Sequence, residues 1–233
     1  MRKILMLIGL LLIVGSAWPM FQMAREEVIN SKITKQYKID FVNYEQGFPR
    51  PIDTQEIEVN GRSIKIVEEL TGKKAPLTHW DLEEGVPAGD IVKLHLLVDG
   101  NEVTNADEIW LSNRDKGGRY YSWLEVLKVN DKTAIVQRLT DDDAPMDDRR
   151  WKIIWIDDKI TEERVSYLTR AENPLGVRLI NASGTSQMAM GYQSDILQMY
   201  PTLFFPILYP YVTTLLGILL CIIAFFIRKK AVE

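Results

Sequence analysis

From Leu203 to Ile227 the chain reads LFFPILYPYVTTLLGILLCIIAFFI, with no charged residue. At about 1.5 Å of rise per residue, a helix of that length crosses the roughly 30 Å hydrocarbon core of a bilayer. Everything upstream of such a segment has to lie on one side of a membrane or the other.

Lys and Arg in the short flanks of membrane segments set that side. No Lys or Arg occurs between Leu179 and Thr202, and Arg228-Lys229-Lys230 follows the apolar stretch. This asymmetry predicts a basic cytoplasmic tail at 228–233 and an extracytoplasmic position for the bulk of the chain, at a plasma membrane. Tyr200, Phe204, Phe205, Tyr209 and Tyr211 suit an outer interfacial belt. Pro201, Pro206 and Pro210 fall in the same outer portion, where a distorted first turn costs least.

At the other end, Arg2-Lys3 precedes the apolar run ILMLIGLLLIVGSAWPM. We read residues 1–23 as a signal anchor, a second transmembrane helix. The alternative is a secretory signal peptide cut near the small residues Gly15-Ser16-Ala17. Residues 24–38 keep helical spacing, through Phe21, Ala24 and Val28 and then Ile29, Ile33 and Tyr37, and so predict a stalk.

The net charge of −4 hides a stronger bias. Five of the 28 basic residues and one of the 32 acidic ones lie in the two ends, so residues 24–202 carry 23 basic and 31 acidic groups, a net −8. Long-range repulsion makes such a segment a poor nucleic-acid binder, and no nucleic-acid partner is expected. The one cysteine, Cys221, lies in the apolar stretch. The middle segment therefore has no disulfide, thiolate metal site or thiol nucleophile, which agrees with the habit of bacterial envelope proteins.

Residues 39–182 read as a mainly β domain, an antiparallel sandwich or barrel, joined to the membrane by a linker at 183–202. QEIEV-NG-RSIKIV is the strongest local signal: Asn60-Gly61 is a two-residue hairpin turn that pairs Val59 with Arg62 and Ile57 with Ile64. Glu69 to Gly89 reads as a long loop with a helical turn at Asp81–Glu84. Further strands are expected at 91–98, 108–111, 120–129, 133–139, 151–156, 159–165 and 175–181.

Among chemistry-bearing residues, Arg119, Tyr120, Tyr121 and Trp123 beside Gly117-Gly118 form a candidate exposed contact patch. Trp151, Ile153 and Trp155 share a strand face and belong to a core. Asp141, Asp142 and Asp143 in DDDAPMDD belong to the most conspicuous acidic run, of a kind that can bind calcium, but an EF-hand's glycine and terminal glutamate are missing and Arg149-Arg150 follows. A solvated loop is the better reading. His79 and His95 lack ligand spacing, and no nucleophile elbow, phosphate loop or metalloprotease helix is present. Thr213, Gly217 and Cys221 recur every four residues and offer a close-packing face to Gly9, Gly15 or Ser16, or to a second copy of the chain.

These residues predict a membrane-anchored extracytoplasmic binding, interaction or sensing subunit that uses no cofactor. Its partners are the lipid bilayer and a membrane or envelope protein, with homo-oligomers through the transmembrane helices as a further option. A cell-surface glycan- or peptide-binding protein with a cleaved signal peptide is one alternative. A carboxylate-based envelope hydrolase is another, because paired Asp or Glu leave no sequence signature.

Overall fold

The computed structural model describes residues 2–42, 44–45, 48–49, 56–77, 79–103, 106–113, 118–141, 144–186, 188–197 and 202–227. The chain divides into two compact units, residues 1–31 with 189–233 and residues 32–188.

The second unit carries twelve strands among the described residues. In chain order they are β1 (Ile39–Phe41), β2 (Tyr44–Glu45), β3 (Phe48–Pro49), β4 (Glu56–Val59), β5 (Arg62–Lys74) and β6 (Asp90–Val98). They continue with β7 (Asn101–Glu102), β8 (Asp107–Trp110), β9 (Leu124–Val129), β10 (Lys132–Arg138), β11 (Arg150–Ile156) and β12 (Ile160–Ser166). Helix α1 (Arg2–Gln36) precedes them, α2 (His79–Glu84) lies between β5 and β6, and α3 (Pro174–Ser183) and α4 (Thr213–Phe226) follow. Two antiparallel sheets result, in the orders β1-β9-β10-β11-β12 and β4-β5-β6-β7, with β8 also paired to β6. Neither closes into a barrel, and β2 and β3 form a separate small hairpin.

The β4–β5 hairpin has the register that its turn chemistry predicts, Val59 opposite Arg62 and Ile57 opposite Ile64. Asn60 and Gly61 both take positive φ, +53° and +74°, as a type I′ turn requires. Three expectations need correction. The long loop from Glu69 is strand as far as Lys74, because Gly72 at φ +74° absorbs an irregularity in the β5–β6 ladder instead of ending it. The strand expected from Tyr120 starts only at Leu124, since Ser122 turns the chain at φ +64° and the Tyr120 carbonyl accepts from the Trp123 and Leu124 amides. The strand expected at 175–181 is the helix α3. Asn173 caps it, accepting the Gly176 N–H at 2.8 Å; Pro174 occupies its first position, and Gly184 ends it at φ +71°.

The inward residues of both sheets meet in one apolar core, which includes Ile57, Ile64, Ile66, Val92, Leu94 and Leu96 from one sheet and Val126, Ile135 and Ile154 from the other. Alternation puts Leu127, Val136 and Ile153 on the opposite face of β9–β11, and these are buried too. That face meets α3, which contacts β9 and β10 and packs Gly176 against Val165 of β12. Sheet β1-β9-β10-β11-β12 is thus covered on both sides. Two basic residues lie within this packing: Arg138 of β10, 3% exposed, and Lys152 of β11, which donates to Asp107 of β8 at 2.5 Å and links the two sheets.

In the other unit, α1 and the segment Ile207–Phe226 are each long and apolar enough to cross a membrane. The first turns of the second segment are irregular, with Tyr209 at φ −127° beside Pro210. The regular helix α4 therefore begins at Thr213, ten residues later than the apolar stretch.

Candidate functional site

The residues expected to form a contact patch do not share a surface. Tyr120 is fully buried and Trp123 is 5% exposed, both in the core between the sheets. Trp123 packs on Trp110 with ring centroids 5.6 Å apart, and the Arg138 guanidinium lies 4.2 Å from its ring centre. Arg119 and Tyr121 remain exposed, but Arg119 is engaged. Its Nε and Nη2 donate to the two oxygens of Glu68 at 2.6 Å each, and the Tyr120 hydroxyl donates to the same carboxylate at 2.7 Å. The Arg119 guanidinium holds the Glu68 carboxyl below its usual range, and burial with the Glu68 charge pushes the Tyr120 phenol up. This cluster fastens the 118–123 turn to β5; it is a structural brace.

A groove lies instead at the end of the α3-covered sheet. Two hairpin turns meet there, Asn130-Asp131 between β9 and β10 and Asp157–Lys159 between β11 and β12, because Thr133 pairs with Ile156. The groove has a volume of about 770 Å³, within the range of small-molecule sites. Trp155, half-buried, lines it with Tyr37, and Leu175 of α3 contributes an apolar wall. The indole is oriented by its Nε1, which donates to Glu163 at 2.8 Å. Asn130 fixes the incoming chain, since its Oδ1 accepts the Lys38 amide at 2.9 Å. Lys132 and Asp157 pair across the rim at 2.6 Å. The lysine ammonium keeps Asp157 ionised well into the acid range, which suits it to accept hydrogen bonds and not to supply a proton. Aromatic faces ringed by fixed donors and acceptors bind by stacking and hydrogen bonding.

Trp155 was expected in the core with Trp151. Alternation puts both on one face, but Trp151 is 2% exposed, with Nε1 donating to the Thr185 carbonyl, whereas Trp155 lies beyond that cover at the sheet end. Adjacent hairpin turns were the available signal for this groove.

The helical unit brings together the small residues of its two apolar helices. A Cβ added to Gly9 would lie 2.7 Å from the Gly217 carbonyl oxygen and from Cys221 Sγ, and one added to Gly217 would lie 2.8 Å from the Gly9 carbonyl oxygen. The Ser16 and Thr213 hydroxyls are 2.8 Å apart, and Tyr209 donates to the Gly15 carbonyl at 2.8 Å. One turn beyond the apolar run, Glu26 is 3% exposed on α1. Its carboxylate accepts the backbone N–H groups of Tyr192, Gln193 and Ser194 at 2.7, 2.9 and 3.0 Å, an anion nest that ties 189–195 to this helix. By composition alone this stretch reads as a polar linker.

Asp142 and Asp143 lie outside the described residues, and Asp141 is exposed. Among the described residues no group of His, Cys, Asp and Glu has an arrangement that could hold a metal ion. Comparison with family models, curated proteins and solved structures finds no match to this chain.

Proposed function

We propose that this chain is a two-helix membrane protein that displays a β-rich, sandwich-like domain outside the cytoplasm and acts by binding, as an interaction or sensing subunit. The observation that carries the reading is the intimate seating of α1 on α4 through Gly9, Ser16, Thr213 and Gly217. A cleaved signal peptide has no such partner to keep, so this contact favours retention of both apolar segments. Orientation is supported by the absence of Lys and Arg from Leu179 to Thr202 and their presence at 228–230. The apolar core that both sheets share supports a sandwich-like arrangement.

In this reading the Trp155 groove is the recognition surface. Its indole, with Asn130, Asp131 and Asp158 around it, favours a saccharide or a peptide over an apolar ligand. N-terminal sequencing of the membrane-extracted protein tests the anchors: a start near Trp18 overturns the two-helix form. A photo-crosslinking amino acid in place of Lys159 tests the surface. The expected result is capture of one envelope protein, or binding on a glycan array, with loss in Trp155→Ala. Neither capture nor array binding, in a protein shown to be folded, refutes the role of the groove.

A further inference from the structure

A second, smaller cavity in the β unit lies away from the Trp155 groove. We propose that it binds a small organic ammonium with an aromatic or short aliphatic body, through the carboxyl of Glu125. The cavity has a volume of about 170 Å³ and lies between Phe41 at the end of β1, Tyr121, Leu124 and Glu125 at the start of β9, and Ala182 and Gly184 at the end of α3. A dry cavity of roughly 150 Å³ accommodates benzene, so this one has space for a single six-membered ring or a short alkyl chain.

Three features choose a cation. The first is the carboxyl itself. Leu124 and Val126 point into the core between the sheets, so alternation turns Glu125 to the other face, opposite Val136 of β10. The second is the end of α3, a ten-residue helix whose last turn forms one wall and whose dipole puts partial negative charge there. The third is the pair of aromatic rings, Phe41 and Tyr121, that line the cavity and can face an ammonium. An anion would meet the negative end of the α3 dipole and the two aromatic faces, and no cation in the lining.

Burial pushes the Glu125 carboxyl up to about 8, opposed only by the Val126 amide. The groups facing it are few. Tyr121 is the other titratable residue of the lining, β1 contributes Phe41, α3 contributes Ala182 and Ser183, and Gly184 follows at its C-cap. Arg138, two residues along that face of β10, stacks on the Trp123 ring. At neutral pH the empty cavity therefore holds a carboxylic acid. Binding an ammonium breaks the acid's O–H bond, leaves a carboxylate paired with R–NH₃⁺, and passes one proton to solvent. Affinity should then rise about tenfold per pH unit below the carboxyl's midpoint and level off above it.

The test uses the full chain in nanodiscs of neutral lipid, with benzylamine hydrochloride as the probe and benzyl alcohol and benzoate as its neutral and anionic counterparts. Calorimetry at pH 7 in phosphate and in Tris reads proton release directly. Expected are saturable 1:1 binding, release of close to one proton, and affinity about tenfold higher at pH 7 than at pH 6. Glu125→Gln should lose at least tenfold in affinity and all proton release, and Ala182→Leu should fill the cavity and lose binding with the carboxyl still present. Equal binding of benzylamine and benzyl alcohol, no proton release, or unchanged binding in either variant overturns the proposal. None of these outcomes bears on the Trp155 groove, which this site does not share.

Discussion

The seam between the two apolar helices can be tested by giving Gly217 a side chain. A methyl group there would lie 2.8 Å from the Gly9 carbonyl oxygen, 2.9 Å from Ile13 Cγ1 and 3.1 Å from Leu12 Cβ. The first of these is backbone, which cannot rotate aside, so the helices must separate by about 0.6 Å to restore ordinary contact. A gap of that size forfeits about a quarter to a half of the dispersion energy along the seam. Overpacking of this kind costs about 1–3 kcal/mol, or roughly 5- to 150-fold in the population of the closed pair. Ser16 and Thr213, with hydroxyls 2.8 Å apart, supply the reporter. With Ser16→Cys and Thr213→Cys in a Cys221→Ser background, reconstituted in nanodiscs, mild oxidation should form an intrachain disulfide quickly. Gly217→Leu should slow it by a factor in that range. Gly15→Leu is the control, because a Cβ at Gly15 meets nothing within 4 Å. Equal rates with Gly217→Leu, equal loss with Gly15→Leu, or disulfides formed only between chains would refute the reasoning.

Three further outcomes follow from the β unit, each read by tryptophan fluorescence during denaturant unfolding of the full chain. Asp107→Ala removes the carboxylate that the buried Lys152 ammonium donates to and should destabilise measurably, and adding Lys152→Met should recover much of the loss. Asn173→Ala removes the cap that accepts the Gly176 N–H and should cost about 1 kcal/mol, whereas Asn173→Ser should cost less. Glu68 has a pKa lowered from 4.5 when folded, so the unfolded state binds more protons in acid. Its contribution is full above about pH 4.5 and is lost as pH falls through the folded value. Glu68→Gln should therefore flatten the acid limb of the stability curve; an unchanged limb would show that the Arg119 pairing contributes nothing.

Local chemistry with a single physical solution was legible in the sequence. Asn60-Gly61 admits one hairpin register, and the alternation of Val92, Leu94, Leu96 and Val98 admits one inward face. The run WKIIWI was legible in another sense: near-continuous apolar character marks a strand covered on both faces, and β11 is buried from Trp151 to Ile154. The helix α3 was legible in its Asn-Pro start and Gly184 end, but a short apolar run fits strand or helix equally by period. Other features depend on distant partners. Tyr120 is fully buried because Glu68, far away in sequence, accepts its hydroxyl; nothing near Tyr120 carries that information. The Trp155 groove and the Glu125 cavity arise from turns and helix ends brought together by the sheet, so neither has a linear motif.

The Gly9–Gly217 contact also has a consequence for synthesis. About 200 residues separate the two glycines, which at ~5–20 residues per second is about 10–40 s of translation. Through that interval the first helix lacks its α4 neighbour and Glu26 lacks the amides of Tyr192, Gln193 and Ser194, while the Ser16 hydroxyl keeps its bond to the Leu12 carbonyl. An emerging chain is thus distinguishable from a finished one by a carboxylate that still lacks its three backbone partners. Any ribosome that stalls before residue 192 leaves that mark in place.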